Sequence, residues 1–180
     1  MSRYGLVSNH HLNRVCAMTT DKVDKILEQW QTERPDLDSS PMGVIGRISR
    51  LSHYLERGVN DGLEPFGLTS WSFDVLATLR RAGAPYRLSP NALLQSLMIT
   101  SGTMTNRIDH LERAGLVERA HNPDDRRSVL ITLTAAGLAL AERAVAAHVG
   151  NEQRLLAHMN AQDQAQLAGL LRQLLVGLES

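Results

Sequence analysis

The chain has 180 residues, 43% of them apolar and 4% aromatic, with 19 basic and 19 acidic side chains and a single cysteine. That suits one domain, or one domain with long helical arms, and zero formal charge excludes a global field drawing it to nucleic acid or membrane. Lone Cys16 excludes an internal disulfide framework, and no apolar run nears the ~20 residues that span a bilayer, so a cytoplasmic protein without a membrane partner is expected.

Residues 1–19 show no periodicity and read as a disordered tail, with Met18 an alternative start to Met1. Val23, Ile26, Leu27 and Trp30 then fall at i, i+3, i+4 and i+7, the stripe of a first helix. "ERPDLDSSP" breaks the chain, and Ser40-Pro41 reads as an N-cap followed by proline at the first helical position. Val44, Ile45, Ile48, Leu51, Leu55, Val59 and Leu63 predict a helix of about six turns, ended by Gly67. Thr69 caps a helix with Phe73, Leu76 and Leu79 on one face and Gly83 at its end. Ser89-Pro90 opens a short helix through Met98, and "TSGT" opens another with Met104, Ile108 and Leu111 inward and Gly115 as its stop. Leu116 to Arg119 and Val129 to Thr132 are short strands flanking a tight turn at Asn122-Pro123-Asp124-Asp125. Thr134 caps an alanine-rich helix reaching about to His158, and Asn160, with Asp163 three residues on, opens a last leucine-rich helix.

The order helix, short helix, turn, helix, two-stranded hairpin is that of a winged helix-turn-helix. The fold class is mainly α, with a β wing over part of 67–133, helices over 20–66 before it and helices over 134–180 after it. A helix fits the major groove of DNA and a hairpin reaches the adjacent minor groove. With Met104, Ile108 and Leu111 inward, helical spacing turns Gly102, Thr103, Asn106, Asp109, His110 and Arg113 outward or sideways. Ser101, Thr103, Thr105, Asn106 and His110 are the DNA-contact candidates: hydroxyls at a helix N-terminus can meet phosphate, and Asn106 can bond bidentately to adenine. Alone, such a face would read as ordinary solvated surface. The hairpin changes the balance, because adjacent Arg126 and Arg127 suit the negative potential of a narrow minor groove. Asp125 beside them can brace a guanidinium and stiffen the turn. Charge leans the same way: residues 67–132 carry eight Lys/Arg against six Asp/Glu, whereas 18–66 carry six against nine.

"LTSWSFDVLATL", "LMITSGTMTNRIDHLERAGLVER" and "NPDDRRSVLITLTAAG" together resemble the MarR family of bacterial transcription regulators over residues 44–178. The resemblance implies that the hairpin is the wing and that its arginine contacts DNA, roles falling on Asp125 and Arg126 with Arg127 alongside. It also implies an obligate homodimer through the terminal helices, reading a palindromic operator. The leucine-rich last helix and the 44–63 stripe agree, since one small winged domain cannot bury both.

"EQWQTERPDLD", "GRISRL" and "FDVLATLRRAGAPYRLSP" narrow the likeness to the PecS-like, urate-responsive branch of that family. There an extra first helix supplies a tryptophan to a ligand site between dimer and DNA-binding lobes, completed by an aspartate and an arginine. Matching motifs place these roles on Trp30, Asp74 and Arg107, with Arg119 a weaker candidate. Spacing separately puts Arg107 at the edge of the buried face of its helix, where a guanidinium needs an acidic partner or an anion. Asp74 falls opposite Leu76, on the face shared with Thr78 and Arg81, which could meet solvent or another lobe. On its apolar stripe Trp30 could equally be a core residue.

An enzyme would need a constellation of catalytic groups, and none is recognised: no Gly-rich phosphate loop, nucleophile elbow or HExxH, and, beyond His10-His11 in the tail, no histidine cluster read as a ligand set with Cys, Asp or Glu. No cofactor is expected. The resulting expectation is a homodimeric repressor on a pseudo-palindromic operator, released by a small aromatic anion such as urate. Release by phenolic acids, or by oxidants through Cys16, is the alternative.

Overall fold

The computed structural model describes residues 20–97, 101–122 and 125–180, without the side chains of 101–102 and 125–127. The expected tail over 1–19, Cys16 and Met18 therefore lie outside the described residues. The described residues divide into two units, one ending at His53 and the other running from Tyr54 to Ser180, with the boundary inside one helix.

In the first unit, α1 (Lys22–Glu33) begins with a cap that sequence periodicity does not reveal. The Asp21 carboxylate accepts from the Val23 and Asp24 backbone N–H groups at 2.7 and 3.0 Å, and the Asp24 carboxylate accepts in turn from Asp21 N at 2.8 Å. This reciprocal box satisfies donors that a helix start leaves unpaired. Arg47, from α2 (Ser40–Leu63), pairs with Asp21 at 2.9 Å and Asp24 at 2.5 Å. Val23 is buried beside Gly46 and Leu27 lies beside Gly43, so glycines on α2 admit the α1 side chains. Only Val23 of the expected α1 stripe is buried; Ile26 and Trp30 are exposed, as are Val44, Ile45 and Leu51 on α2. The start of α2 also differs from expectation: Ser40 is already helical, so Pro41 occupies the second position, and Asp38 receives the Ser40 N–H at 2.9 Å.

In the second unit, α2 closes in a 3-10 turn (Glu64–Phe66) and Gly67, whose φ of 65° no β-carbon opposes. Thr69 caps α3 (Ser70–Arg81) through a box with Ser72. Two residues, Arg87–Leu88, form β1, too short for any periodicity to announce. Helix α4 (Pro90–Leu97) has Ser89 as N-cap and proline first, as expected; Met98 lies outside the described residues. After α5 (Ser101–Arg113) come β2 (Val117–Asn122) and β3 (Asp125–Leu133), both longer than the expected strands. The antiparallel sheet has the order β1-β3-β2, with Leu88 opposite Ile131 and Val117 opposite Leu133. Thr134 caps α6 (Ala135–Leu155), and Asn160 caps α7 (Ala161–Glu179) by accepting from Asp163 N at 2.9 Å.

The core of this unit gathers Leu63, Val75, Leu76, Leu79, Leu93, Leu111, Val117 and Ile131, each at most 2% exposed. Helix α6 approaches α2 closely: the Asn151 amide donates to the Gly58 carbonyl at 2.8 Å, and Leu155 packs where a side chain at Gly58 would stand. By contrast α7 buries no residue, and Leu170, Leu171, Leu174, Leu175 and Leu178 are exposed along it.

Candidate nucleic-acid interface and ligand residues

Helix α5 presents the two faces its sequence implies. Met104, Ile108 and Leu111 are 3%, 2% and 1% exposed, so one stripe is committed to the core. Thr103, Thr105, Asn106, His110 and Arg113 face solvent, where hydroxyl, amide and imidazole groups can approach nucleic acid. The Ser101 backbone opens the helix, and its side chain lies outside the described residues. Gly115 ends the helix at φ 70°, turning the chain into β2.

The hairpin pairs Asn122 with Asp125, with an irregularity between His121 and Asn122. Arg126 and Arg127 therefore stand in β3 immediately after the turn rather than in it. The side-chain roles expected for Asp125, Arg126 and Arg127 fall outside the described residues.

Between α3 and α5 a shallow cleft of about 680 Å³ is lined by Trp71, Thr103, Asn106, Arg107, His110 and Arg113. The Arg107 guanidinium lies over the Trp71 ring at 5.6 Å, within the range of cation–π attraction. The His110 ring meets the same indole edge-on, with centroids 5.5 Å apart and planes at 71°. Trp71 was not among the sequence candidates, although its spacing one turn before Asp74 puts the two on a common face. Nothing local reveals that α5 lies against that face.

Asp74 reaches solvent, yet neighbouring atoms crowd its carboxyl. This burial raises its pKa above the ordinary 3.8, against the opposing charges of His148, Arg107 and Arg81. Its face is not uniformly solvent: Thr78, expected beside it, is 4% exposed. Arg107 and His148 each lie close enough for their charge to act on the Asp74 carboxyl. His148, from α6, was also missed. Its ring meets Phe73 with centroids 4.5 Å apart and planes tilted by 42°, its Nε2 lies 3.2 Å from Glu152, and its buried Nδ1 has no hydrogen-bond partner among the described residues.

Arg119 is engaged elsewhere. Its Nη2 pairs with Asp109 at 2.5 Å, its Nη1 with Glu112, and its backbone N–H donates to Glu112 at 3.1 Å. Trp30 belongs to the first unit, 39% exposed on α1. Among the described residues no His, Cys, Asp and Glu cluster could hold a metal ion, and no helix is long and apolar enough to cross a membrane.

A short helix, a second helix with a polar outer face and a hairpin beside it define a winged helix-turn-helix DNA-binding protein. Comparison with known proteins agrees: residues 66–128 match the model of the MarR family. The transcriptional regulator PecS of Dickeya dadantii is 45% identical over 150 residues, covering 83% of this chain and 90% of that one. A transcriptional repressor of Mycobacterium tuberculosis is 33% identical over 137 residues, covering 76% of this chain and 95% of that one. Among solved structures, a cysteine-to-serine mutant of Escherichia coli MarR complexed with operator DNA superimposes with a TM-score of 0.66 at 29% identity, covering 87% of this chain and 99% of that one. The chain belongs to the MarR family of DNA-binding transcriptional regulators, whose members are not enzymes.

Proposed function

We propose that the protein is a homodimeric, cytoplasmic repressor that occupies a pseudo-palindromic operator and leaves it when a small aromatic anion binds. The observation that carries the DNA part is the juxtaposition of the α5 outer face, with Thr103, Asn106 and His110, and a hairpin bearing Arg126 and Arg127. In this reading Ser101, Thr103 and Thr105 meet phosphate, Asn106 and His110 meet base edges, and Arg126 enters the minor groove with Arg127 beside it. Asp125 supports the wing. Two-fold symmetry of the dimer would demand a palindrome with half-sites about one helical turn apart. The uncovered leucines of α7 support dimerisation, because an apolar stripe of that length is stable only against a partner surface.

The ligand part rests on Arg107 and Asp74. Arg107 has its charge over an indole and in the field of a carboxyl, and would pair with an anion. Trp71 would offer the ring face, while Asp74 would accept a ring N–H. Trp30 is proposed from the resemblance alone. Urate is the first candidate and phenolic acids the second. An anion that takes Arg107 from Trp71 disturbs the support of α5, so release is limited by the ligand's differential affinity for the two states and should be graded. The test is a quantitative shift assay on a pseudo-palindromic operator, titrated with urate and with salicylate. Weakened operator binding in Arg126→Ala, and loss of ligand response in Arg107→Ala with operator binding retained, is the expected pattern. Arg126→Ala at full affinity refutes the wing; an unaltered response in Arg107→Ala refutes the site.

A further inference from the structure

Arg119 reaches from β2 to two carboxylates one helical turn apart on α5, and it also anchors its own backbone to one of them. Asp109 and Glu112 stand at i and i+3, so both project from the same side of the helix. The guanidinium forks between them, with Nη2 on Asp109 at 2.5 Å and Nη1 on Glu112. Glu112 spans the junction twice, because its other oxygen receives the Arg119 backbone N–H at 3.1 Å. One arginine thus joins side chain and main chain of the strand to two positions of the helix.

This join sits between two parts that must act together on DNA. Arg119 pairs with Ile131 across the sheet, and Ile131 is 1% exposed, so the clamped point of β2 is also held by the core. Three residues further along β2 the hairpin turns, at Asn122 opposite Asp125. At ~3.3 Å per residue the turn lies roughly 10 Å beyond the clamp. Any swing of the hairpin relative to α5 would pivot near Arg119. Charge leads to the same place. Two carboxylates on a helix that approaches phosphate would repel it, and a guanidinium held between them offsets that repulsion.

We propose that Arg119 is a positioning residue for operator binding: with Asp109 and Glu112 it fixes the wing relative to α5, and it touches neither DNA nor ligand. The proposal rests on the DNA-reading surface described above. It assigns Arg119 a role different from the ligand contact that the resemblance implies, since both terminal guanidinium nitrogens are already engaged. A lysine should replace it only in part, because a compact ammonium lacks the planar fork that spaces two donors across Asp109 and Glu112.

The test is a double-mutant cycle on the full-length protein, with operator affinity measured at several salt concentrations and folding monitored by circular dichroism and thermal melting. Arg119→Ala should weaken operator binding on the order of tenfold with helix content retained, as expected for two coupled ion pairs. Its salt dependence should match the wild type, because no phosphate contact is lost. In the Arg119→Ala background, Arg126→Ala should cost less than it does alone, since a misplaced wing has less to lose. Arg119→Lys should recover part of the affinity. Full affinity in Arg119→Ala, strictly additive losses, or a salt slope reduced by about one counterion would each overturn the clamp. So would an Arg119→Ala protein that binds operator normally but no longer responds to urate. If Arg126→Ala alone leaves affinity unchanged, the wing reading falls first, a pattern distinct from additivity.

Discussion

Two glycines of α6 should respond in opposite directions to the same substitution. The β-carbon of Gly137→Ala would stand inside the contact distance of the Leu116 carbonyl oxygen, with the carbonyl carbon also too near. That carbonyl cannot turn aside freely, because it accepts from Thr134 N at 3.1 Å. Helix α6 cannot simply lift away either. Thr134 Oγ1 donates to the Gly115 carbonyl at 2.7 Å and accepts from Gly137 N at 3.0 Å, while Ala141 and Ala144 are 1% and 0% exposed. Losing the N-cap costs about 1 kcal/mol and a further backbone hydrogen bond about 1. Repacking the displaced buried face of the helix adds about 1–3 kcal/mol. The helix-propensity gain of alanine over glycine returns about 1 kcal/mol, so the net loss should be about 2–4 kcal/mol. Gly150→Ala keeps only the propensity gain, because nothing lies within 4 Å of its added carbon. It should stabilise by up to about 1 kcal/mol. Urea denaturation at one fixed protomer concentration reads both, which also holds any oligomerisation term constant. A Gly137→Ala protein within about 0.5 kcal/mol of wild type, the scatter of ordinary surface changes, would refute the close-approach argument. So would an equal loss in Gly150→Ala.

The wing variant Arg126→Ala should weaken operator binding by about 1–3 kcal/mol and lower the salt slope; a gel-shift titration at two ionic strengths checks both. Ending the chain at Asn160 removes α7, and light scattering should then find aggregates or an unfolded chain, whereas a folded soluble dimer would contradict the role proposed for its leucines. Trp71, not only Trp30, should report ligand binding, because Arg107 lies over its ring. Trp71→Phe should therefore remove much of the urate-induced fluorescence change, and an undiminished signal would separate the ligand from Arg107. Burial raises the pKa of Asp74, so the folded chain binds more protons there than the unfolded chain as pH rises above 3.8. Stability should accordingly fall as pH rises through that window, and Asp74→Asn should remove this component. Parallel denaturation at pH 4 and pH 7 with the same pH dependence in both proteins would show the carboxyl to be unperturbed.

Much of the fold was legible without coordinates because its signals are local. Thr69, Ser89, Thr134 and Asn160 mark helix starts by bonding to backbone two or three residues on, and Gly67, Gly83 and Gly115 mark ends by adopting positive φ. The inward triplet Met104, Ile108 and Leu111 follows from helical period alone, and with it the outward face of α5. What tertiary structure decided depends on segments distant in sequence. Period places Arg107 at a boundary, but only the approach of α3 puts Trp71 beneath it. Arg119 could be drawn to an anion or to its own helix, and only the angle between β2 and α5 delivers it to Asp109 and Glu112. Gly137 looks like any helical glycine until Leu116 arrives against it. Helix caps and periodicity are set by backbone geometry within one or two turns. Contacts between elements are set by how separate faces pack, and no short stretch of chain encodes that distance.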